Sequence, residues 1–302
     1  MPSLILLALA GVAGQLVDGA LGMAFGVTST TVLLSVGLAP ALASASTHLA
    51  ELGTTLASGA SHWRFGNIDW DKVGWLAVPG GLAAFVGATV LTSISAEAAT
   101  PVVALILFGM GTYILVRFAF DRSGPVVRVR NLPRWFLAPL GAVAGFLDAL
   151  GGGGWGPVGS STLLASRRMQ PHKVVGTISA SEFLVTVGAS AGFLRGLSTS
   201  QIPFRVAGAL LVGGVIAAPF AAWLVRLINA RVLGTLVGGL IVVTNAHDFF
   251  SALELDDLIG LPLYTALAVL WLTAVTVAIL AGRRDRAQPI GSEADDLVPE
   301  AR

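Results

Sequence analysis

Five titratable residues stand inside otherwise apolar stretches and could do chemistry there: Asp18, His48, Glu51, Asp148 and Glu182. Glu51 and Glu182 fall near the middle of the apolar blocks 41–62 and 174–194. An acidic side chain at the centre of a membrane helix costs about 2.5–3.5 kcal/mol on insertion scales, so it is kept for a purpose. His48 precedes Glu51 by three residues, on the same helical face. A buried Glu beside a His can carry a proton across a membrane. The other purpose open to Glu51 and Glu182 is to cap unpaired backbone N–H groups nearby. Asp18 and Asp148 each precede a glycine-rich run, and a carboxylate there can reach across a break to cap the helix that follows; a direct substrate or proton role is the alternative.

The glycine-rich runs suit anion binding. The first turn of a helix leaves four N–H groups unpaired and carries about half a positive charge. Such a terminus, turned toward an internal cavity, binds anions without a buried cation. The second run offers Gly152, Gly153, Gly154, Trp155 and Gly156, with Pro157 at a first-turn position and the hydroxyls of Ser160 and Ser161 after it. The first run offers Gly22, Phe25 and Gly26, followed by Thr28 and Ser29. Phe25 and Trp155 would line the pocket, plug it or simply pack.

The elements that must position these residues are membrane helices. Of 302 residues, 55% are hydrophobic and only 12% charged, against roughly 25% charged in a soluble domain. Mean hydropathy is +0.81. So much apolar surface needs lipid as its solvent. A net charge of +1 and the lack of cysteine exclude a nucleic-acid binder and a disulfide scaffold. No catalytic constellation stands out, so no enzyme is expected. His62, His172 and His247 fall in predicted loops without ligand-like spacing, so neither metal nor cofactor is expected.

Apolar blocks run over about 4–35, 41–62, 73–94, 101–116, 135–165, 174–194, 204–224, 232–246 and 261–281. A crossing takes about 20 residues. Blocks 4–35 and 135–165 are too long for one helix and too short for two, so each is read as a re-entrant hairpin of two half-helices. Residues 4–14 resemble a signal-peptide core, but no Lys or Arg precedes them and the apolar run continues, so they are read as part of the membrane domain. The hairpin blocks also resemble each other. At an offset of 130, Gly11, Asp18, Gly22, Phe25 and Gly26 match Gly141, Asp148, Gly152, Trp155 and Gly156. One residue further on, Pro40, Glu51, Thr55 and Arg64 match Pro171, Glu182, Thr186 and Arg195, and then Gly80 and Gly81 match Gly213 and Gly214. Identical polar residues in register indicate an internal duplication.

Basic loops set the sidedness. The linker 117–135 carries five Arg and one Asp, and 165–173 is also basic, so both are placed in the cytoplasm. Counting crossings from there inverts the two halves and puts the N-terminus outside and the C-terminus inside. Arg195 and Arg205 in a predicted outer loop weigh against this. The expected fold is an all-α integral membrane protein with an inverted repeat. Residues 1–116 form the first half: hairpin 4–35 and helices 41–62, 73–94 and 101–116. A basic linker covers 117–134. Residues 135–246 form the second half: hairpin 135–165 and helices 174–194, 204–224 and 232–246. An acidic outer loop and one extra helix occupy 247–281, and a disordered tail 282–302.

The sequences GFLDALGGGGWGP, GQLVDGALGMAFG, ASTHLAE and ISASEF resemble the sulfite exporter TauE/SafE family of membrane permeases over about residues 5–245. The resemblance implies a bacterial inner-membrane transporter of two related halves, exporting sulfite, sulfoacetate or other organosulfonates with the proton gradient. The first copy departs from the pattern at Met23, Ala24 and Val27. On this reading the partners are a small anion, protons and the lipid bilayer, with no nucleic acid, and a homodimer is compatible with such a chain. The tip residues Gly22, Phe25, Gly26, Thr28, Ser29, Gly152–Gly156, Ser160 and Ser161 would hold substrate. His48, Glu51 and Glu182 would couple protons, and Asp18 and Asp148 would cap the hairpins. The rival readings are an uptake permease for sulfate, thiosulfate or a carboxylate, and an uncoupled anion channel.

Overall fold

The computed structural model describes residues 3–21, 23–120, 132–198, 200–202, 204–224 and 230–287. Gly22, most of the basic linker, Arg226 and the tail beyond Ala287 lie outside the described residues.

The described chain is helical and contains no strand. The elements are α1 (Leu4–Leu21), α2 (Phe25–Ser35), α3 (Pro40–Arg64), α4 (Trp70–Ser93), α5 (Ala96–Ala119), α6 (Arg134–Gly151), a π-helical turn (Trp155–Ser160), α7 (Ser161–Ala165), α8 (Pro171–Gly196), α9 (Phe204–Leu224), α10 (Ala230–Ala252) and α11 (Asp256–Ala287). Five are long and apolar enough to cross a membrane: α4, α5, α8, α10 from Arg231, and α11 between Ile259 and Ala281. The chain is therefore an integral membrane protein by length and composition. At 25 residues α3 is long enough to cross, but it carries Ser44, Ser46, Thr47, His48, Glu51 and Thr55 in buried positions. Such a helix is solvated by protein rather than lipid.

Local signals set the ends. Pro40 and Pro171 open α3 and α8, where the missing N–H costs nothing. Ser95 caps α5, its side chain accepting from the N–H of Ala98 at 3.3 Å. One expectation changes, the loop placement of three histidines. The helices flanking the two breaks differ in length: α1 and α6 have 18 residues each, about 27 Å of helix, and α2 only 11. The breaks fall at the glycine-rich runs, which lie closer to the C-terminal end of each block. His62, His172 and His247 are helical, in the last turn of α3, the first turn of α8 and within α10. The helices continue past the apolar blocks because their end turns tolerate polar side chains.

The main contacts join helices before the linker to helices after it: α1 packs on α9, α6 on α4, α8 on both α3 and α4, and α10 on α5. Small residues make the approach close. A Cβ placed on Gly11 would sit 2.2 Å from the carbonyl oxygen of Leu210, and one on Gly141 would sit 2.3 Å from that of Leu76. Likewise Gly213 abuts the carbonyl of Ala8, and Gly145 that of Gly80. By these contacts Leu76 corresponds to Leu210, and hence Gly80 to Gly214, one residue beyond the sequence match. α11 packs on α10 and leaves Leu261, Leu270 and Leu272 exposed.

Candidate functional site

The two glycine-rich breaks, referred to below as tips, pack against each other inside the protein. Gly26 at the start of α2 touches Gly152 and Gly153: a Cβ on Gly26 would lie 2.1 Å from the carbonyl oxygen of Gly152, and one on Gly153 would lie 2.1 Å from the Val27 nitrogen. The backbones are in contact, and only glycine permits it. Gly152 turns the chain at φ +67, a left-handed conformation that suits glycine at a helix C-terminus. In the first break the positive-φ residue among those described is Ala24, at φ 122, two residues beyond the position that matches Gly152.

The aspartates hold the tips. Asp148 Oδ1 accepts from the N–H groups of Gly154 at 2.7 Å and Trp155 at 2.9 Å. Asp18 Oδ1 accepts from the N–H of Phe25 at a longer 3.4 Å. His48 and Asp148, both buried, lie within hydrogen-bond distance: Nε2 lies 3.2 Å from Asp148 Oδ2, and Nδ1 lies 2.9 Å from the carbonyl oxygen of Ser44. That carbonyl only accepts, so Nδ1 carries a hydrogen. His48 thus faces Asp148 of the other half. Ser44 Oγ donates to the Ala149 carbonyl at 2.7 Å, and Thr30 Oγ1 lies 3.0 Å from Thr47 Oγ1. Asn245 Nδ2 donates to Thr31 Oγ1 at 3.0 Å. These contacts bind tips, α3 and α10 into one polar plug.

To one side of the plug lies a cavity of ≈ 280 Å³. α1 contributes Gln15 and Asp18, the tips contribute Met23, Phe25 and Gly156, and α8 contributes Val175, Ser179 and Glu182. α3 lines it with Glu51, Thr54, Thr55, Ser58 and His62, a stretch of about 16 Å. Glu51 is 4% exposed, and its carboxylate reaches Gly26: a Cβ there would lie 2.9 Å from Glu51 Oε1. No described residue hydrogen-bonds that carboxylate. Three carboxyl groups, Asp18, Glu51 and Glu182, therefore surround one small cavity, and its lining holds no Lys or Arg among the described residues.

Of the expected substrate residues, Phe25 and Gly156 line the cavity, and Gly26 adjoins it through Glu51. Gly152 and Gly153 form the tip contact, and Gly154 donates to Asp148. Trp155 is fully buried; its ring lies against Gly80 and its Nε1 donates to the Ile178 carbonyl at 3.2 Å. Phe25 packs on Gly214 in the same manner. Thr28, Ser29 and Ser160 are buried behind the tips, their hydroxyls unpaired among the described residues, and Ser161 Oγ lies 3.7 Å from Met23 Sδ. Gln15, Met23, Thr54, Thr55, Ser58, His62, Val175 and Ser179 enter the lining unannounced. Spacing could have found several: Glu51, Thr55, Ser58 and His62 recur along one stripe, as do Val175, Ser179 and Glu182.

The loop at 65–69 packs on the first turns of α8. Lys173 Nζ donates to the Gly66 carbonyl at 2.6 Å, and the Asp69 N–H to Thr177 Oγ1 at 3.0 Å.

A cavity of this kind inside a helical membrane protein is the setting for moving a small solute, and comparison with known proteins agrees. The sequence model of the sulfite exporter TauE/SafE family matches residues 6–247. The chain is 45% identical over 277 residues to the Probable membrane transporter protein YtnM of Bacillus subtilis (strain 168), covering 91% of this chain and 92% of that protein. No solved structure matches it. The chain belongs to the sulfite exporter TauE/SafE family and is a multi-pass membrane transporter.

Proposed function

We propose that this protein is a proton-coupled secondary transporter of a small sulfur-containing anion, such as sulfite, sulfoacetate or another organosulfonate, exporting it across the bacterial plasma membrane. The observation that carries the reading is the asymmetry of the site: the cavity runs along α3 toward one end of the molecule, and tip contact closes it from the other. Alternating access requires such a state. The two halves act as inverted repeats, each a re-entrant hairpin followed by three crossings, with α11 added at the end. The basic loops put the cavity mouth in the cytoplasm, the N-terminus outside and the C-terminus inside. Solute would lodge against Phe25, Gly26 and Gly156, beside Glu51.

Glu51 is the coupling residue of this reading, with Glu182 across the cavity. The His48–Asp148 pair lies in the plug and serves closure. In proteoliposomes loaded with sulfite or sulfoacetate, a pH gradient should accelerate flux through the wild-type chain, and Glu51→Gln should remove that dependence while leaving solute binding. Flux that follows voltage and solute gradient alone in the wild type would identify an uncoupled anion channel instead.

A further inference from the structure

The cavity poses an electrostatic problem for an anion. Asp18 faces it from α1, Glu51 and His62 from α3 and Glu182 from α8; among the described residues the two tips bring no charged side chain and no Lys or Arg lines it. His62 stands at the mouth, a turn-by-turn distance of about 16 Å from Glu51 along α3. The backbone donors that a helix terminus would offer are largely engaged, those of Phe25, Gly154 and Trp155 by Asp18 and Asp148. Nearby Asp148 is already matched by His48. Glu51, by contrast, is buried and unpaired among the described residues and points into the cavity beside Gly26. An ionised carboxylate in that position repels an oxyanion; a carboxylic acid donates an O–H to it.

We propose that the solute anion binds only together with protons, taken up by the cavity carboxyls at the binding step, so that Glu51 and Glu182 as neutral acids supply the hydrogen-bond donors for the oxyanion. Asp18, bound to the Phe25 N–H, contributes less. Each proton balances one negative charge brought in by the solute, and no other cation is needed. This rests on the anion-transport reading and adds to it the linkage between binding and protonation, which a coupling group acting only at a gate would not show.

The test is calorimetric titration of the purified full-length protein with methanesulfonate, whose charge does not change across the working pH range, in two buffers of different ionisation heat. The wild type should take up about one to two protons per anion, and its Kd should rise about tenfold to a hundredfold per pH unit. Glu51→Gln and Glu182→Gln, which keep a donor without a charge, should each lower the uptake by about one proton and bind more tightly than wild type at alkaline pH. Zero proton uptake with a pH-independent Kd would overturn the proposal and leave anion transport standing. Weaker binding by both variants at alkaline pH would also overturn it. If neither methanesulfonate nor sulfite bound to the wild type at any pH, the anion reading itself would fall.

Discussion

Ala24 and Gly152 both turn the chain at a glycine-rich break with positive φ, 122 at Ala24 before α2 and +67 at Gly152 after α6. Only at Gly152 is the residue free to do so. A non-glycine residue held there stores about 1–3 kcal/mol of strain. Ala24→Gly should therefore raise stability by about 1 kcal/mol, read as a higher melting temperature in detergent; an unchanged or lower value would show that the turn is relaxed with its methyl group. Asp148 shows the opposite economy. One carboxylate accepts two backbone N–H groups through Oδ1 and meets His48 through Oδ2. Removing one partner of a buried hydrogen-bonded group leaves the other polar groups unsatisfied, at about 1–3 kcal/mol each. Asp148→Ala should be strongly destabilised, and adding His48→Phe should recover part of the loss. A double variant as unstable as the sum of the two single ones would argue that the pair contributes nothing.

Among the elements, α3 is the helix that the site is built upon. It has a sealed half and an open half. Ser44, Thr47 and His48 bond to Ala149, Thr30 and Asp148 in the plug, while Thr54, Thr55, Ser58 and His62 line the cavity below Glu51. Lipid-facing helices such as α4 and α5 read as long apolar runs, whereas α3 is too polar to count among the five apolar spans. Its length still allows it to span, because neighbouring helices replace lipid around it. The natural chain has no cysteine, so single replacements can report its environment cleanly. Ser58→Cys should react with a membrane-impermeant thiol reagent, and Thr47→Cys should stay unreactive in the same state. Equal labelling of both would mean that the plug does not close.

For the whole molecule, the contacts between halves matter most. α1 on α9 and α6 on α4 are matching pairs, each closed by glycines against a facing carbonyl. Each tip aromatic then rests on a glycine of the opposite half: Trp155 on Gly80, and Phe25 on Gly214. A side chain larger than hydrogen at either place would push a tip away from the other. Gly80→Leu should therefore impair transport more than Gly74→Leu, since a Cβ on Gly74 meets nothing within 4 Å. Equal activity of the two variants in vesicle flux assays would remove the tip seating from the mechanism.

The linear chain by itself determined the helical membrane class, the approximate helix positions and the two interrupted blocks. Hydropathy, proline at helix starts and glycine at breaks are local properties, and they act before any packing is made. It also singled out Asp18, His48, Glu51, Asp148 and Glu182, because charge in an apolar run is conspicuous. What it left undecided was which of these residues meet. Sequence neighbourhood joined His48 to Glu51, three residues away, yet His48 turns to Asp148, a hundred residues distant, and Glu51 turns to the cavity with Asp18 and Glu182. The glycine tips likewise looked like open anion cradles, and most of their glycines instead make the contact between the halves. These choices belong to the tertiary structure because they depend on which helix faces which, and that is fixed by long-range packing of small residues whose identity alone names no partner.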